Sequence, residues 1–207
     1  MFDEKWEKRK DRLIKVIEQY RGSVGVTGVP GVGKSTVLKM IPGFTLPERD
    51  VELDKDDGTM TVEHQKFLIA RCIDELSKKG GIYDRNAIVD GYVFYCLTEE
   101  YYMDSAEKLG MTATAKFHAD NLRVFKRWFW EYITDYVRYI DFEFNIIFVK
   151  STVSKEELKD RVLGRNRDRD HFDLMDVFID KFEDFAWRTL IEIRALGVNV
   201  NLIEEWL

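Results

Sequence analysis

Cysteine is scarce in this chain, and long apolar runs are absent. The 207 residues include only two cysteines, Cys72 and Cys96, and they form no CxxC pair. We expect free thiols, which are typical of a reducing compartment. No apolar run is long enough to span a membrane, and residues 1–20 are too strongly charged for a signal peptide. These absences predict a cytoplasmic protein without a membrane partner.

Linkers, repeats and low-complexity tracts are also lacking, and all three prolines fall before residue 48. The chain therefore reads as a single domain over 1–207, large enough to bury a substantial core, with 1–21 as an N-terminal helical addition. The net charge of −6 argues against nucleic acid as a partner.

Predicted strands alternate with predicted helices along the chain. This order indicates an α/β fold in which a parallel five-stranded sheet is flanked by helices. A ligand crevice then lies at the carboxyl ends of the strands. Strands are predicted at 23–28, 44–47, 81–86, 142–150 and 198–203, and helices at 3–21, 33–41, 61–80, from 87, at 113–139 and at 173–195.

The segment GVPGVGKST, residues 28–36, fits the phosphate-loop pattern G-x-x-x-x-G-K-[ST]. Its glycines let successive backbone N–H groups converge on an anion, and the following helix adds its positive end. Lys34 is expected to reach the outer phosphates, and the Ser35 hydroxyl to bind Mg²⁺. The alternative is a glycine turn without a ligand. The residues expected to contact ATP are Gly28, Val29, Pro30, Gly31, Val32, Gly33, Lys34, Ser35 and Thr36, together with Arg161, Arg165 and Arg167 further along the chain.

A cluster of arginines follows the fourth predicted strand. Arg161, Arg165, Arg167 and Arg169 lie within the segment RVLGRNRDRD, residues 161–170. Such a cluster can close over a triphosphate and neutralise charge on the phosphoryl group in transfer. The alternative is a solvated turn in which aspartates balance the arginines.

Three further charged residues follow predicted strands. Glu48 in PERD is placed where a carboxylate could take the proton of an attacking hydroxyl. Asp84 and Arg85 in YDRN could hold Mg²⁺ through water and orient an acceptor, respectively. A surface glutamate and a structural ion pair are the competing interpretations.

Taken in order and spacing, these motifs resemble those of the deoxynucleoside kinases and, more distantly, the thymidylate kinases. The resemblance covers nearly the whole chain after the first helix. It implies a P-loop kinase fold, a three-layer sandwich with an arginine-rich lid at 161–172. It also implies that Glu48 is the catalytic carboxylate and that Gln65 and Asp90 face the nucleobase. The lid pattern falls on Arg161, Arg165, Arg167 and Asp170, and the Glu-Arg-Ser triplet falls on Asp84, Arg85 and Asn86.

The chain also departs from the family pattern. The triplet reads Asp-Arg-Asn, and Asp-Arg is what thymidylate kinases carry. Arg49 stands where proline usually follows the glutamate, and Cys72 stands where the family sets base preference. Both a nucleoside and a nucleoside monophosphate therefore stay open as the acceptor.

We expect ATP-dependent phosphorylation of a deoxynucleoside at its 5′-hydroxyl, with Mg²⁺ as cofactor. Lys34, Arg85 and Arg165 would stabilise the transition state, while Glu48 deprotonates or orients the hydroxyl. One alternative is a deoxynucleoside monophosphate kinase on the same scaffold. Another is a nucleotide-dependent switch that binds a partner protein. The residues assigned to the substrate are Glu48, Gln65, Cys72, Arg85, Asp90 and Asp170, and those assigned to the metal are Ser35 and Asp84.

Two further expectations concern specificity and assembly. An ionised Asp90 only accepts hydrogen bonds, which favours bases that carry an exocyclic amino group over thymine. Val124 and Trp128 lie off the apolar stripe of the helix 113–139, which runs from Leu122 to Tyr136. Together with the family resemblance, this predicts a symmetric helix-to-helix homodimer.

Overall fold

The computed structural model describes residues 4–20, 23–42, 44, 61–79, 81–84, 88–164 and 172–207. The helices are α1 (Glu4–Gln19), α2 (Lys34–Leu38), α3 (Val62–Lys79), α4 (Asp90–Lys108), α5 (Thr112–Asp135), α6 (Lys155–Leu163) and α7 (Phe172–Ala195), with a 3₁₀ turn at Val137–Tyr139. The strands are β1 (Ser23–Gly28), β2 (Gly81–Tyr83), β3 (Phe144–Lys150) and β4 (Val200–Trp206).

The strands form one parallel sheet in the order β2-β1-β3-β4. Val24 and Val26 of β1 are buried, as is the continuous run 146–149 of β3. Such uninterrupted apolar strands are typical of a parallel sheet that is covered on both faces. The α/β class and the parallel sheet flanked by helices are therefore confirmed, with four strands in the described part of the chain. The further strand predicted at 44–47 lies outside the described residues except for Phe44, which is not in a strand.

The helices pack in two groups around this sheet. Helix α1 contacts α2 and β4, whereas α4 packs against α5 and α7. The amphipathic face of α1 buries Leu13 and Ile17, and Arg12 pairs with the buried Glu205 of β4 at 3.0 Å. The N-terminal helix is thus part of the same core as the sheet.

Aromatic residues form much of the interior between α4, α5 and α7. The predicted stripe on α5 is buried at Leu122, Phe125 and Phe129 and becomes exposed toward Tyr136. The ring of Tyr92 on α4 stacks on Phe129 with 3.9 Å between centroids. This packing fixes α4 against α5, and the first turn of α4 borders the candidate site.

Helix α2 is shorter than the sequence predicts. The helix was expected over 33–41 but ends at Leu38, and the chain continues in tight turns. Met40 and Ile41 bond back to carbonyls only three residues earlier, at 2.9 and 3.0 Å. Pro42 has no N–H to extend the helix and disfavours helical geometry in the residue before it. The expected helix dipole beneath the loop is accordingly small.

No helix in the described part of the chain is both long and apolar enough to cross a membrane.

Candidate phosphate-binding site

Glycine geometry shapes the loop between β1 and α2. A Cβ atom on Gly28 would lie 2.3 Å from the Val149 carbonyl oxygen, so β1 and β3 approach too closely there for any side chain. Gly31 and Gly33 have φ angles of +87° and +107°, which residues with a Cβ rarely adopt. The loop conformation therefore depends on glycine at the positions that the motif specifies.

Lys34 lies across this loop. Its Nζ atom donates hydrogen bonds to the carbonyl oxygens of Gly28, at 2.5 Å, and Val29, at 3.1 Å. An ammonium group has three donors, so it can bind loop carbonyls and an anion in turn. The contacts hold a positive charge above the backbone of the loop, where a phosphate would enter.

Ser35 and Asp84 are brought together although 49 residues separate them in sequence. The Ser35 hydroxyl donates a hydrogen bond to the Asp84 carboxylate, which follows β2 directly. Strand β2 lies beside β1 in the parallel sheet, so their carboxyl ends meet at one edge. Sequence reasoning assigned both residues to the metal, and the fold places their oxygens in contact.

This oxygen pair suits Mg²⁺. The ion takes hard oxygen ligands and is usually held by one or two protein groups, with water and phosphate completing its shell. The described residues contain no group of three or more His, Cys, Asp or Glu side chains that could form a dedicated cage. Ser35 and Asp84 fit the sparse type of site that Mg²⁺ shares with a bound nucleotide.

The start of the arginine-rich segment lies against the loop. A Cβ on Gly31 would lie 3.0 Å from the Leu158 carbonyl oxygen and 3.2 Å from the Val162 side chain, both on α6. Arg161, on the same helix, donates to Glu157 one turn earlier at 2.7 Å. Helix α6 therefore brings Arg161 into the neighbourhood of the loop, and the salt bridge engages its guanidinium.

Several predicted site residues lie outside the described part of the chain. They include the proposed catalytic carboxylate, the acceptor-orienting arginine and most of the lid. These residues are Glu48, Arg85, Arg165, Arg167 and Asp170.

The two side chains assigned to the nucleobase are buried and bonded to the fold. Asp90 is the first residue of α4, and its Oδ1 accepts a hydrogen bond from the Thr27 hydroxyl at 2.6 Å. Gln65 on α3 donates through Nε2 to the Gly91 carbonyl at 3.0 Å. The structure thus brings Gln65 to the first turn of α4, and the hydrogen bonds of Gln65 and Asp90 are to the protein itself.

Cys72 lies apart from this turn. It is exposed on α3, two helical turns beyond Gln65. It interacts electrostatically with Tyr83 of β2, whose pKa is raised first by desolvation and then by Glu75 and Cys72. Cys96 is buried, and burial raises the pKa of its thiol to about 12. Both cysteines are free thiols, as predicted.

The two side chains that support the predicted dimer differ in exposure. Trp128 is partly buried, its ring stacks on Tyr132 with 5.2 Å between centroids, and it lies 5.9 Å from the Lys66 ammonium. Val124 is exposed on the same helix.

Thr27, which bonds to Asp90, is a residue at this site that the sequence analysis did not identify. It is a fully buried polar residue of β1, where it follows the buried Val26 and directly precedes Gly28. A hydroxyl in that position needs a hydrogen-bond partner, since burial without one is costly. The requirement could have been recognised from the sequence, but the partner, 63 residues away, could not.

Comparison with protein-family models, curated proteins and solved structures found no match to this chain.

Proposed function

We propose that this protein transfers the terminal phosphoryl group of ATP to the 5′-hydroxyl of a deoxynucleoside. The observation that carries the proposal is the convergence of the glycine loop, Lys34 and the Ser35–Asp84 pair at one edge of the sheet. That combination supplies positive charge, backbone donors and oxygen ligands for a metal–triphosphate complex. The choice of acceptor rests on the resemblance of the sequence to deoxynucleoside kinases.

The residues would divide the work between binding and charge stabilisation. Lys34 would bind the outer phosphates as charge moves onto the bridging oxygen. Ser35 and Asp84 would hold Mg²⁺, which when bound supplies further positive charge to the phosphate oxygens. Glu48 would accept the proton of the attacking hydroxyl, and Arg85 with the lid arginines would orient the reacting groups.

A deoxynucleoside monophosphate kinase is the second candidate, and the Asp84-Arg85 pair favours it. The Asp-Arg sequence is what thymidylate kinases carry where deoxynucleoside kinases have Glu-Arg. An anionic acceptor would be clamped by arginine and would depend less on a general base. A nucleotide-dependent switch is the candidate from another class, and the predicted acceptor residues argue against it.

A set of parallel incubations distinguishes these functions. The protein is supplied with ATP and Mg²⁺ and, separately, with each deoxynucleoside and each deoxynucleoside 5′-monophosphate, and the products are resolved by chromatography. We expect ADP and a 5′-monophosphate in equal amounts from a nucleoside, and no transfer when EDTA is in excess. Products from monophosphates alone would establish the second candidate. ATP binding without transfer to any acceptor would favour the switch.

The homodimer is a separate proposal. Exposed Val124 and partly exposed Trp128, both on α5, support it. Light scattering at micromolar concentration tests the dimer. A measured mass equal to that of one chain would contradict it.

A further inference from the structure

The first turn of α4 is linked to two neighbouring elements by buried hydrogen bonds. The Thr27 hydroxyl of β1 donates to the Asp90 carboxylate at 2.6 Å, and the Gln65 amide of α3 donates to the next residue, Gly91, at 3.0 Å. Thr27 directly precedes Gly28, the first residue of the phosphate loop. One turn of helix therefore connects the origin of the loop with the helix assigned to the acceptor.

Close packing reinforces this link. A Cβ on Gly91 would lie 2.8 Å from a side-chain carbon of Ile69 and 2.9 Å from Nε2 of Gln65. A side chain at this position would require Ile69 or Gln65 to shift, so the α3 side chains lie directly against the backbone of Gly91. The Gly91 carbonyl is thereby held within reach of the Gln65 amide.

Burial gives the Thr27–Asp90 bond its importance. Thr27 is 0% exposed and Asp90 is 4% exposed, so water cannot readily replace a lost partner. A buried carboxylate that loses a donor incurs a desolvation penalty that an exposed one would not. Asp90 also lies in the first turn of a helix of 19 residues, where the dipole favours negative charge. The carboxylate is therefore a stable anchor for the Thr27 hydroxyl.

We propose that Asp90 is a positioning residue for the phosphate loop. By accepting the Thr27 hydroxyl, it fixes the carboxyl end of β1 on α4 and so sets where the loop begins. The inference deepens the proposed function and rests on it, because the loop position affects chemistry only where a triphosphate binds. It differs from a base-reading role, which would make Asp90 matter for the choice of acceptor.

Removal of the Thr27 hydroxyl tests the inference without any nucleotide. Thr27→Val keeps the side-chain shape, and Thr27→Ser restores the hydroxyl. The control is Thr189→Val, which removes another buried hydroxyl, one that donates to the Phe185 carbonyl within α7. Hydrogen exchange of residues 28–36 is measured in each protein, with α5 amides as the internal reference.

We expect loop amides of Thr27→Val to exchange about tenfold faster than in the wild type, which is the effect of losing one buried hydrogen bond. Thr27→Ser should stay within about threefold of the wild type, and Thr189→Val should leave the loop unchanged. Equal loop exchange in Thr27→Val and Thr189→Val, relative to α5, would overturn the inference.

Asp90→Asn supplies a second arm that does not require Thr27→Val to fold. The asparagine carbonyl can still accept the Thr27 hydroxyl, so loop exchange should stay within about threefold of the wild type, whereas Asp90→Ala removes the acceptor and should raise loop exchange about tenfold. Equal loop exchange in Asp90→Ala and Asp90→Asn, relative to α5, would overturn the positioning role.

Calorimetric titration with ATP and Mg²⁺ then separates the two proposals. Thr27→Val should weaken ATP binding by about tenfold and raise the KM for ATP while that for the acceptor changes little. If the wild type binds no ATP, the proposed function fails, and hydrogen exchange still decides whether the bond holds the loop.

Discussion

The loop at 28–36 is one continuous stretch of chain, whereas the proposed acceptor side of the site, which comprises Gln65 and the first turn of α4, is assembled from separate elements. In residues 28–36, Lys34 bonds to carbonyls of its own loop, and the glycines also allow close packing against β3 and α6. On the acceptor side, Gln65 and Asp90 come from different helices, and Gln65 reaches the first turn of α4 because α3 packs on α4. The spacing of the motif residues is therefore set largely within the loop, while the acceptor residues depend on tertiary packing throughout.

The two regions also use their polar groups differently. Lys34 holds its charge near loop carbonyls that line the place where a phosphate would bind. Gln65 and Asp90 are buried and bonded to the backbone of α4 and to the hydroxyl of Thr27. Substitution of Lys34 should therefore lower the rate of phosphoryl transfer directly. Substitution on the acceptor side should lower that rate partly by disturbing the packing of α3 on α4. The four predictions that follow test this difference in order of expected size.

Lys34→Ala should have the largest effect, a loss of about 10³-fold or more in kcat/KM for phosphoryl transfer. Under the proposed function the ammonium would stabilise charge that develops in the transition state, and no other residue of 28–36 carries a positive charge. Thermal unfolding should be nearly unchanged, because the lysine is only partly buried. Lys39→Ala, at an exposed position just beyond α2, is the matched control. Activity of Lys34→Ala within tenfold of the control would remove the phosphate-binding assignment.

Gly28→Ala should cost about 3 kcal/mol of stability, which combines strain at a positive φ with a backbone clash. The added Cβ would meet the Val149 carbonyl at 2.3 Å and push β1 from β3. Gly110→Ala is the matched control, since Gly110 also has a positive φ but no heavy atom lies within 4 Å of its Cβ position. We expect that control to lose about 1 kcal/mol. Chemical denaturation measures both, and equal losses would show that close strand approach is unimportant at Gly28.

The sequence predicted the loop, the helix–strand alternation and the parallel sheet because each depends on short-range pattern. An apolar run such as 146–149 is typical of a buried parallel strand, and the glycine motif is typical of a tight loop. The sequence did not predict that α2 would end at Leu38, although Pro42 indicates that a helix ends before it. It also did not predict the Thr27–Asp90 bond or the internal stacking of Trp128. Thr27 and Asp90 are 63 residues apart, so pattern alone does not identify them as partners, and the stacking of Trp128 on Tyr132 depends on side-chain conformations that the pattern does not specify.

Glu48→Gln should reduce kcat by about 10²-fold when a nucleoside is the acceptor, as expected for loss of a general base. The KM values should change little, because glutamine keeps the size of the side chain. If the acceptor is a monophosphate, the loss should be small. Glu63→Gln provides the control, since Glu63 is an exposed residue paired with Lys66 on the first turns of α3. Steady-state kinetics with both acceptor classes therefore distinguishes the two candidate functions.

Cys72→Ala should have the smallest effect, a change of less than about threefold in kcat/KM for any base, since a thiol is only a weak hydrogen-bond donor. Cys72 follows Gln65 by seven residues of helix, a rise of about 10 Å, and its thiol interacts electrostatically with Tyr83 of β2. Gln65→Met is the comparison variant, because it keeps the volume of a buried side chain and removes the bond to Gly91. We expect that variant to lose about tenfold in kcat/KM, as for one buried hydrogen bond.

Relative kcat/KM across the four deoxynucleosides measures the effect of both substitutions. A change in base preference in Cys72→Ala as large as that in Gln65→Met would mean that the acceptor pocket extends along α3 to the β2 edge, and the acceptor side would then be larger than the first turn of α4.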